Sequence, residues 1–336
     1  MPGLFDPIKI RGLKIKNRLV MPPMATKMAT KDGGVTDRHI KHYTARARGG
    51  VGLIILEHTF VSGNGKASDG QLGIYDDKLI SGLRRLVQAI HSDGAKAGIQ
   101  LTHSGSRTTW GVIGEQPAGP WNIPVPGDEE IPRPFTIEEL KKTAGAFVEA
   151  ARRAVEAGFD VVELHGAHGY LLGQFLSPYT NRRHDEYGGD WEGRLRLPLE
   201  VIAEVRDRLG EDIPLFYRFG ADDMIEGGLT RKETKLIAPR LEQAGVDVID
   251  ISGGLGGSGR DRFTEQGYFV PLAQAIKETV KIPVIGVGNI TDADYADAIV
   301  RQGMVDMVAF GRLLLSEPEY PKQAANKLRS VKQKPV

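Results

Sequence analysis

The chain has 336 residues, 40% of them hydrophobic, with 44 basic and 43 acidic side chains and no cysteine. A net charge of +1 provides no footprint for nucleic acid or an anionic membrane, and the lack of cysteine excludes disulfides, thiolate metal sites and cysteine-bound iron–sulfur clusters. No apolar run is long enough to span a membrane, and residues 1–7 lack the basic and apolar regions of a signal peptide, so a cytoplasmic protein is the expectation.

Residues 8–15 alternate apolar and polar side chains around Gly12, which reads as a hairpin covering one end of the fold. Arg18 to Met21 is a short buried strand closed by Pro22 and Pro23, and Thr36 caps a helix that runs to residue 48. Strand and helix then alternate. Strands are expected at 51–56, ending in Glu57 and His58, and at 97–101, ending in Thr102, His103 and Ser104. Helices are expected at 77–93 and 136–157, the second opened by a capping box of Thr136 and Glu139. The strand at 161–165 precedes helices at 192–208 and 230–244, with a strand at 215–219 between them, and Thr230 and Glu233 form a second capping box. Strands at 246–251, 283–287 and 305–310 are separated by helices at 270–279 and 292–301, and helical sequence continues to about residue 328.

Eight strand signals alternating with helices imply a parallel sheet, because a parallel crossover needs a helix. That number is the count of a closed (β/α)8 TIM barrel, capped by the hairpin. The missing Gly-x-Gly-x-x-Gly after the first strand weakens the open, doubly wound alternative. The long connections at 59–76, 104–135 and 177–190 leave carboxyl ends of strands or the short helix there, where a barrel keeps its active-site mouth.

The stretch from Val161 to Tyr170 starts as a buried strand and ends by presenting His165, His168 and Tyr170. Both imidazoles can donate hydrogen bonds to one substrate oxygen, and the phenol has a proton to give. Gly286, Gly288 and Gly311 stand at the ends of the last two strands, with Arg312 beside them, a pattern that suits a phosphate. Gln100 and Arg218 are polar residues within apolar strands, so each is either satisfied internally or faces a ligand. Gln100 suits the edge of an amide-like heterocycle, and Arg218 suits an electron-rich ring. Glu163 shares a strand face with His165, which leaves a two-histidine, one-carboxylate iron site as a minor alternative.

These residues carry a resemblance. Leu4 to Pro7, Lys16 to Arg18, Met21 to Met24, Gly98 to Leu101, His165 to Tyr170, Phe175 to Pro178, Asn181 with Asp185 to Gly189, and Gly311 with Arg312 are similar to motifs of the Old Yellow Enzyme family of FMN-dependent oxidoreductases. The likeness extends over nearly the whole chain. It implies a single FMN-binding TIM-barrel domain over residues 1–336 and no metal. FMN would be lined by Pro22, Pro23, Met24, Ala25 and His58, with Gln100 on its pyrimidine edge and Arg218 by N1 and the C2 oxygen. Gly288, Gly311 and Arg312 would hold its phosphate.

The resemblance further implies an ene-reductase. NAD(P)H reduces FMN, the flavin N5 hydride passes to an α,β-unsaturated carbonyl compound, His165 and His168 bind the carbonyl oxygen, and Tyr170 supplies the proton. Two positions depart from the pattern: Ala25 replaces a frequent cysteine, and Lys27 stands where relatives place a substrate-contacting tyrosine, so Lys27 is expected at the substrate. Longer relatives add an iron–sulfur cluster and further domains, and this chain is expected to be the barrel alone. Relatives form dimers or tetramers, so a homo-oligomer is expected. An oxidative dehydrogenase or demethylase of an amine or alicyclic substrate is the rival within the family. A regulatory flavin barrel and a flavin-free lyase are rivals outside it.

Overall fold

The computed structural model describes residues 1–259 and 262–332. It begins with β1 (Ile8–Ile10) and β2 (Leu13–Ile15), an antiparallel hairpin in which Ile8 faces Ile15. The barrel units follow: β3 (Leu19–Met21), α1 (Asp37–Arg48), β4 (Leu53–Phe60), α2 (Ile80–Ser92) and β5 (Lys96–Thr102). The connection after β5 carries α3 (Trp110–Ile113), β6 (Ala118–Gly119) and β7 (Arg133–Pro134) before α4 (Ile137–Ala157) and β8 (Val161–Gly166). Then come α5 (Leu171–Leu176), α6 (Trp191–Leu209), β9 (Leu215–Gly220), α7 (Arg231–Gln243), β10 (Val248–Ser252) and α8 (Val270–Lys277). The chain continues through β11 (Val284–Gly286), α9 (Ala293–Arg301), β12 (Met307–Ala309), α10 (Arg312–Ser316) and α11 (Tyr320–Lys332).

The eight longer-range strands close in the order β10-β11-β12-β3-β4-β5-β8-β9, all pairs parallel, so the fold is a (β/α)8 barrel. Both capping boxes form. The Glu139 amide donates to Thr136 Oγ1 at 3.2 Å while the Thr136 amide donates to Glu139 Oε2 at 2.9 Å, and Thr230 with Glu233 repeats the exchange. On α4, Leu140, Ala144, Phe147, Ala151 and Ala154 recur at helical spacing and are all buried against the sheet. Gly158 ends that helix at φ 93°, a left-handed conformation that glycine takes without a Cβ clash.

Strand parity decides what fills the barrel. Val161, Phe216 and Val248, at or near the amino ends of their strands, pack with Val20, Leu53, Ile285 and Met307 in an inner cluster separate from the layer under the helices. Side chains two residues further along point to the same side. That places Glu163, Arg218 and Asp250 in the next inward layer, and His165 and Ser252 above them. In the strand register Gln100 lies opposite Glu163 and Arg218 opposite Asp250, while the staggered β8–β9 pair sets His165 opposite Arg218.

The hairpin is the floor of this interior. Ile10 and Ile15 join the same inner cluster, which closes the amino end of the barrel. Three features depart from the linear reading. β4 continues past Glu57 to Phe60 through an irregularity between Leu56 and Thr59, because Phe60 finds a further bridge at Gly73. The pairing of β6 with β7 folds part of the 104–135 connection. The helix after β12 is only five residues long before the chain restarts as α11. Among the described residues no helix is long and apolar enough to cross a membrane.

Ile15 is fully buried in the floor. Ile15→Ala is expected to cost about 2–5 kcal/mol in urea unfolding, the range for emptying a buried aliphatic site. Unchanged stability would mean that the hairpin is an appendage and not part of the core.

Candidate active site

β8 runs into a tight turn that presents three polar rings. His168 adopts φ 56°, uncommon for a residue with a Cβ. Two bonds hold it there: its amide donates to the Gly253 carbonyl at 3.0 Å, and its carbonyl accepts from Arg107 Nη1 at 2.6 Å. Gly169 follows at φ 71°, where a Cβ would lie 2.8 Å from Arg107 Nη1, so the turn admits only glycine there. Tyr170 then caps α5.

A line of polar contacts crosses the mouth. Thr102 Oγ1 lies 3.3 Å from His165 Nδ1, His165 Nε2 lies 3.1 Å from His168 Nδ1, and His168 Nε2 lies 2.7 Å from Ser252 Oγ. The Tyr170 ring is 4.7 Å from the His165 ring and 5.3 Å from the His58 ring, centre to centre. Burial holds the His165 and His168 imidazoles well below their ordinary range, reinforced for His165 by the neighbouring His168 and for both by Arg218 and Arg107. Burial also lowers His58 to about 4. It raises the Tyr170 phenol, so the rings are neutral donors and acceptors and the phenol keeps its proton.

Beneath this line lies the charged layer. Arg218 Nη1 donates to Asp250 Oδ2 at 2.8 Å, and Gln100 Nε2 donates to Glu163 Oε1 at 2.8 Å. Arg218 Nε, Glu163 Oε2 and Asp250 Oδ1 are buried without a partner among the described residues. Burial raises the Glu163 carboxyl, with Asp250 adding to the effect and Arg218 opposing it. We read Glu163 as the neutral acid and Asp250 as the counter-ion of Arg218. Glu163 is thus engaged with Gln100, and among the described residues no three metal-ligating side chains cluster.

These groups open into a cavity of about 670 Å³ at the carboxyl end of the barrel. Of the residues singled out from sequence, Pro22, Pro23, Met24, Ala25, His58 and Gln100 line it, as do His165, His168, Tyr170, Arg218, Gly311 and Arg312. Two do not. Lys27 is exposed and lies outside the lining, its backbone turned at φ 55° against Gly70. The loop after β3 leaves the sheet, so strand parity no longer sets its directions. Gly288 is also outside the lining; its neighbours Val287 and Asn289 face the cavity, and its own carbonyl accepts from the Gly267 amide at 2.5 Å.

Sequence reasoning missed Arg107, Asp250, Ser252, Tyr268 and the glycines at 256, 257 and 259. Asp250 and Ser252 were detectable, since they share parity with Val248. Another positioning residue is Glu57. It accepts from the Thr26 amide at 2.9 Å and the Thr26 hydroxyl at 2.6 Å, tying down the loop that carries Pro22 to Ala25.

The cavity suits a cofactor with a polar ring and an anionic tail. The buried residues Arg218 and Gln100 both line it. Gly311, Arg312 and Asn289, the last two joined at 2.9 Å, stand at its rim. A Cβ on Gly311 would approach Met24 Sδ to 3.1 Å, so glycine lets the end of β12 lie against the Pro22–Ala25 loop.

A closed barrel with this mouth has the build of a flavin-binding oxidoreductase. The chain belongs to the NADH:flavin oxidoreductase / NADH oxidase family, whose model matches residues 3–330, and FMN is its cofactor; this is the Old Yellow Enzyme family of the motifs above. It is 49% identical over 330 residues to an NADH oxidase of Thermoanaerobacter brockii, covering 96% of this chain and 50% of that protein. It is 44% identical to an NADPH dehydrogenase of Geobacillus sp. (strain WCH70), covering 97% and 94% of the two chains. The structure superposes on histamine dehydrogenase from Rhizobium sp. 4-9 with a TM-score of 0.87 and 31% identity, over 96% of this chain and 48% of that one. The chain therefore spans about half the length of the first and third of these proteins.

Neutral buried histidines make stability depend on pH. The folded pKa values of His165 and His168 lie below the unfolded value near 6.5, so their contribution is present above that value and is lost as pH falls through the folded values. Unfolding at pH 5 should take up about one proton fewer in His168→Asn than in wild type, read from the pH slope of urea unfolding. An equal slope would mean that His168 is charged in the fold.

Proposed function

We propose that the protein is an FMN-dependent NAD(P)H oxidoreductase that reduces the activated C=C bond of α,β-unsaturated carbonyl compounds. The observation that carries this reading is the convergence of His165 Nε2 and His168 Nδ1, 3.1 Å apart, beside a protonated Tyr170 in the cavity that also holds Arg218. Names of relatives support the nicotinamide half: an NADH oxidase and an NADPH dehydrogenase.

When bound, FMN would supply the redox chemistry, hydride transfer from NAD(P)H to the activated C=C bond. The protein's own groups do the rest. Pro22, Pro23, Met24, Ala25 and His58 would line the cofactor, Gln100 would bond its ring edge, and Arg218 would offset the negative charge it gains on reduction. Gly288, Gly311 and Arg312 hold the phosphate. Of these, Gly288 acts through the backbone beside Asn289. His165 and His168 donate to the carbonyl oxygen, so charge developing there meets fixed dipoles. Tyr170 donates its phenolic proton to the α carbon, completing the addition of two hydrogens.

Tyr170→Phe should leave anaerobic flavin reduction by NAD(P)H intact and slow enone turnover by about 10²–10⁴-fold, the range for losing a general acid. An unchanged enone rate would remove Tyr170 from this role. The likeness to histamine dehydrogenase favours a second reading, oxidation of an amine. Anaerobic bleaching of the flavin by amines, with no enone turnover by wild type, would establish that reading instead.

Asp250 neutralises part of Arg218's field. Asp250→Asn should therefore raise the midpoint potential of the bound flavin by on the order of 30 mV, equivalent to about 1.4 kcal/mol for two electrons. Spectroelectrochemistry gives the value, and a fall in potential would contradict the placement of Arg218 beside the ring.

A further inference from the structure

An oxygen bound between His165 Nε2 and His168 Nδ1 needs an N–H on each of them. Each neutral imidazole carries a single N–H, so two rings share two protons among four nitrogens. With nothing between the rings, the 3.1 Å contact requires one inner donor and one inner acceptor. Binding an oxygen acceptor must therefore change the tautomer of one ring.

The groups on the outer nitrogens decide whether that change is possible. They are two hydroxyls: Thr102 Oγ1, 3.3 Å from His165 Nδ1, and Ser252 Oγ, 2.7 Å from His168 Nε2. Both residues are buried, with exposures of 0% and 2%. Neither hydroxyl has another hydrogen-bond partner among the described residues. A hydroxyl accepts or donates by rotating about one bond. A carboxylate in either place would only accept; it would hold the proton on the outer nitrogen and leave the inner one without an N–H. The carboxyls of Glu163 and Asp250 bond instead to Gln100 and Arg218.

We propose, on the reading that the histidine pair binds a substrate oxygen, that Thr102 and Ser252 are positioning residues that set the two tautomers. In the ligand-bound state both hydroxyls donate to the outer nitrogens, and both ring protons stand on the inner nitrogens, aimed at the same oxygen. In the free state one hydroxyl turns to accept, and the protons run in one direction along the line from Thr102 to Ser252. The number of ring protons stays at two throughout. The bound state is the one in which every group of the line is satisfied, because in the free state the hydroxyl that accepts has no acceptor for its own proton.

The test uses FMN-loaded protein with isotope-labelled histidine, titrated with cyclohexanone, a saturated ketone with an oxygen to bind and no C=C bond to reduce. Imidazole nitrogen NMR at saturation should show His165 Nδ1 and His168 Nε2 unprotonated and both inner nitrogens protonated. S252A should return the His168 proton in part to Nε2 and weaken ketone binding about tenfold, the worth of one hydrogen bond. S252T should restore both properties, and T102V should repeat the S252A effect at His165. Wild-type tautomers and affinity in both S252A and T102V would overturn the proposal. H168A separates the two levels. If H168A weakens ketone binding while the hydroxyl variants do not, only the hydroxyl role fails; if H168A leaves binding unchanged, the oxygen-binding reading fails with it. Should one hydroxyl variant not fold, the other decides.

Discussion

Closure of the barrel is the constraint on which the rest of the structure depends. Once eight strands close, alternate side chains of each strand have only the interior to occupy. Low in the barrel this is easily met, because Val161, Phe216, Val248 and the hairpin's Ile10 and Ile15 pack as a dry floor. One layer higher the same parity brings Gln100, Glu163, Arg218 and Asp250 inside. Buried charge costs free energy unless it is paired, and this layer pairs Arg218 with Asp250 and Gln100 with Glu163. The pairing is incomplete, and the atoms left over lie beneath the cavity.

That incompleteness ties packing to chemistry. A guanidinium lining the cavity fits a cofactor that becomes more negative on reduction. Burial above all, with the same guanidinium and Arg107 adding to it, keeps the two histidines neutral. Neutral imidazoles can donate to a substrate oxygen and accept from the hydroxyls behind them; charged ones could only donate. The positive charge below and the neutral donors above are thus consequences of one arrangement. The turn after β8, strained at His168 and held by Arg107 and Gly253, fixes the directions of those donors.

Much of this was legible in the sequence, and the exceptions have physical reasons. Periodicity located all eight strands, and the Thr136–Glu139 and Thr230–Glu233 pairs marked two helix starts, because capping is a local interaction. His165, His168 and Tyr170 were visible because they crowd one strand end. Arg107 was not, since it comes from a long connection whose folding around β6 and β7 leaves no periodic trace. The direction of the Lys27 side chain was not legible for a related reason: past Met21 the chain leaves the sheet, and the Glu57–Thr26 contacts, not parity, set the loop. The extension of β4 to Phe60 depends on a bridge to Gly73, a tertiary contact that a linear reading cannot anticipate.

The most direct measurement is a crystal structure of the FMN-loaded protein soaked with a cyclic enone in the oxidised state, where no turnover occurs. The account requires the carbonyl oxygen to lie within hydrogen-bond distance of both His165 Nε2 and His168 Nδ1, with the ring of the ligand over the flavin and Tyr170 on its other face. A carbonyl oxygen bound elsewhere in the cavity, with the two imidazoles still bonded to one another, would contradict it.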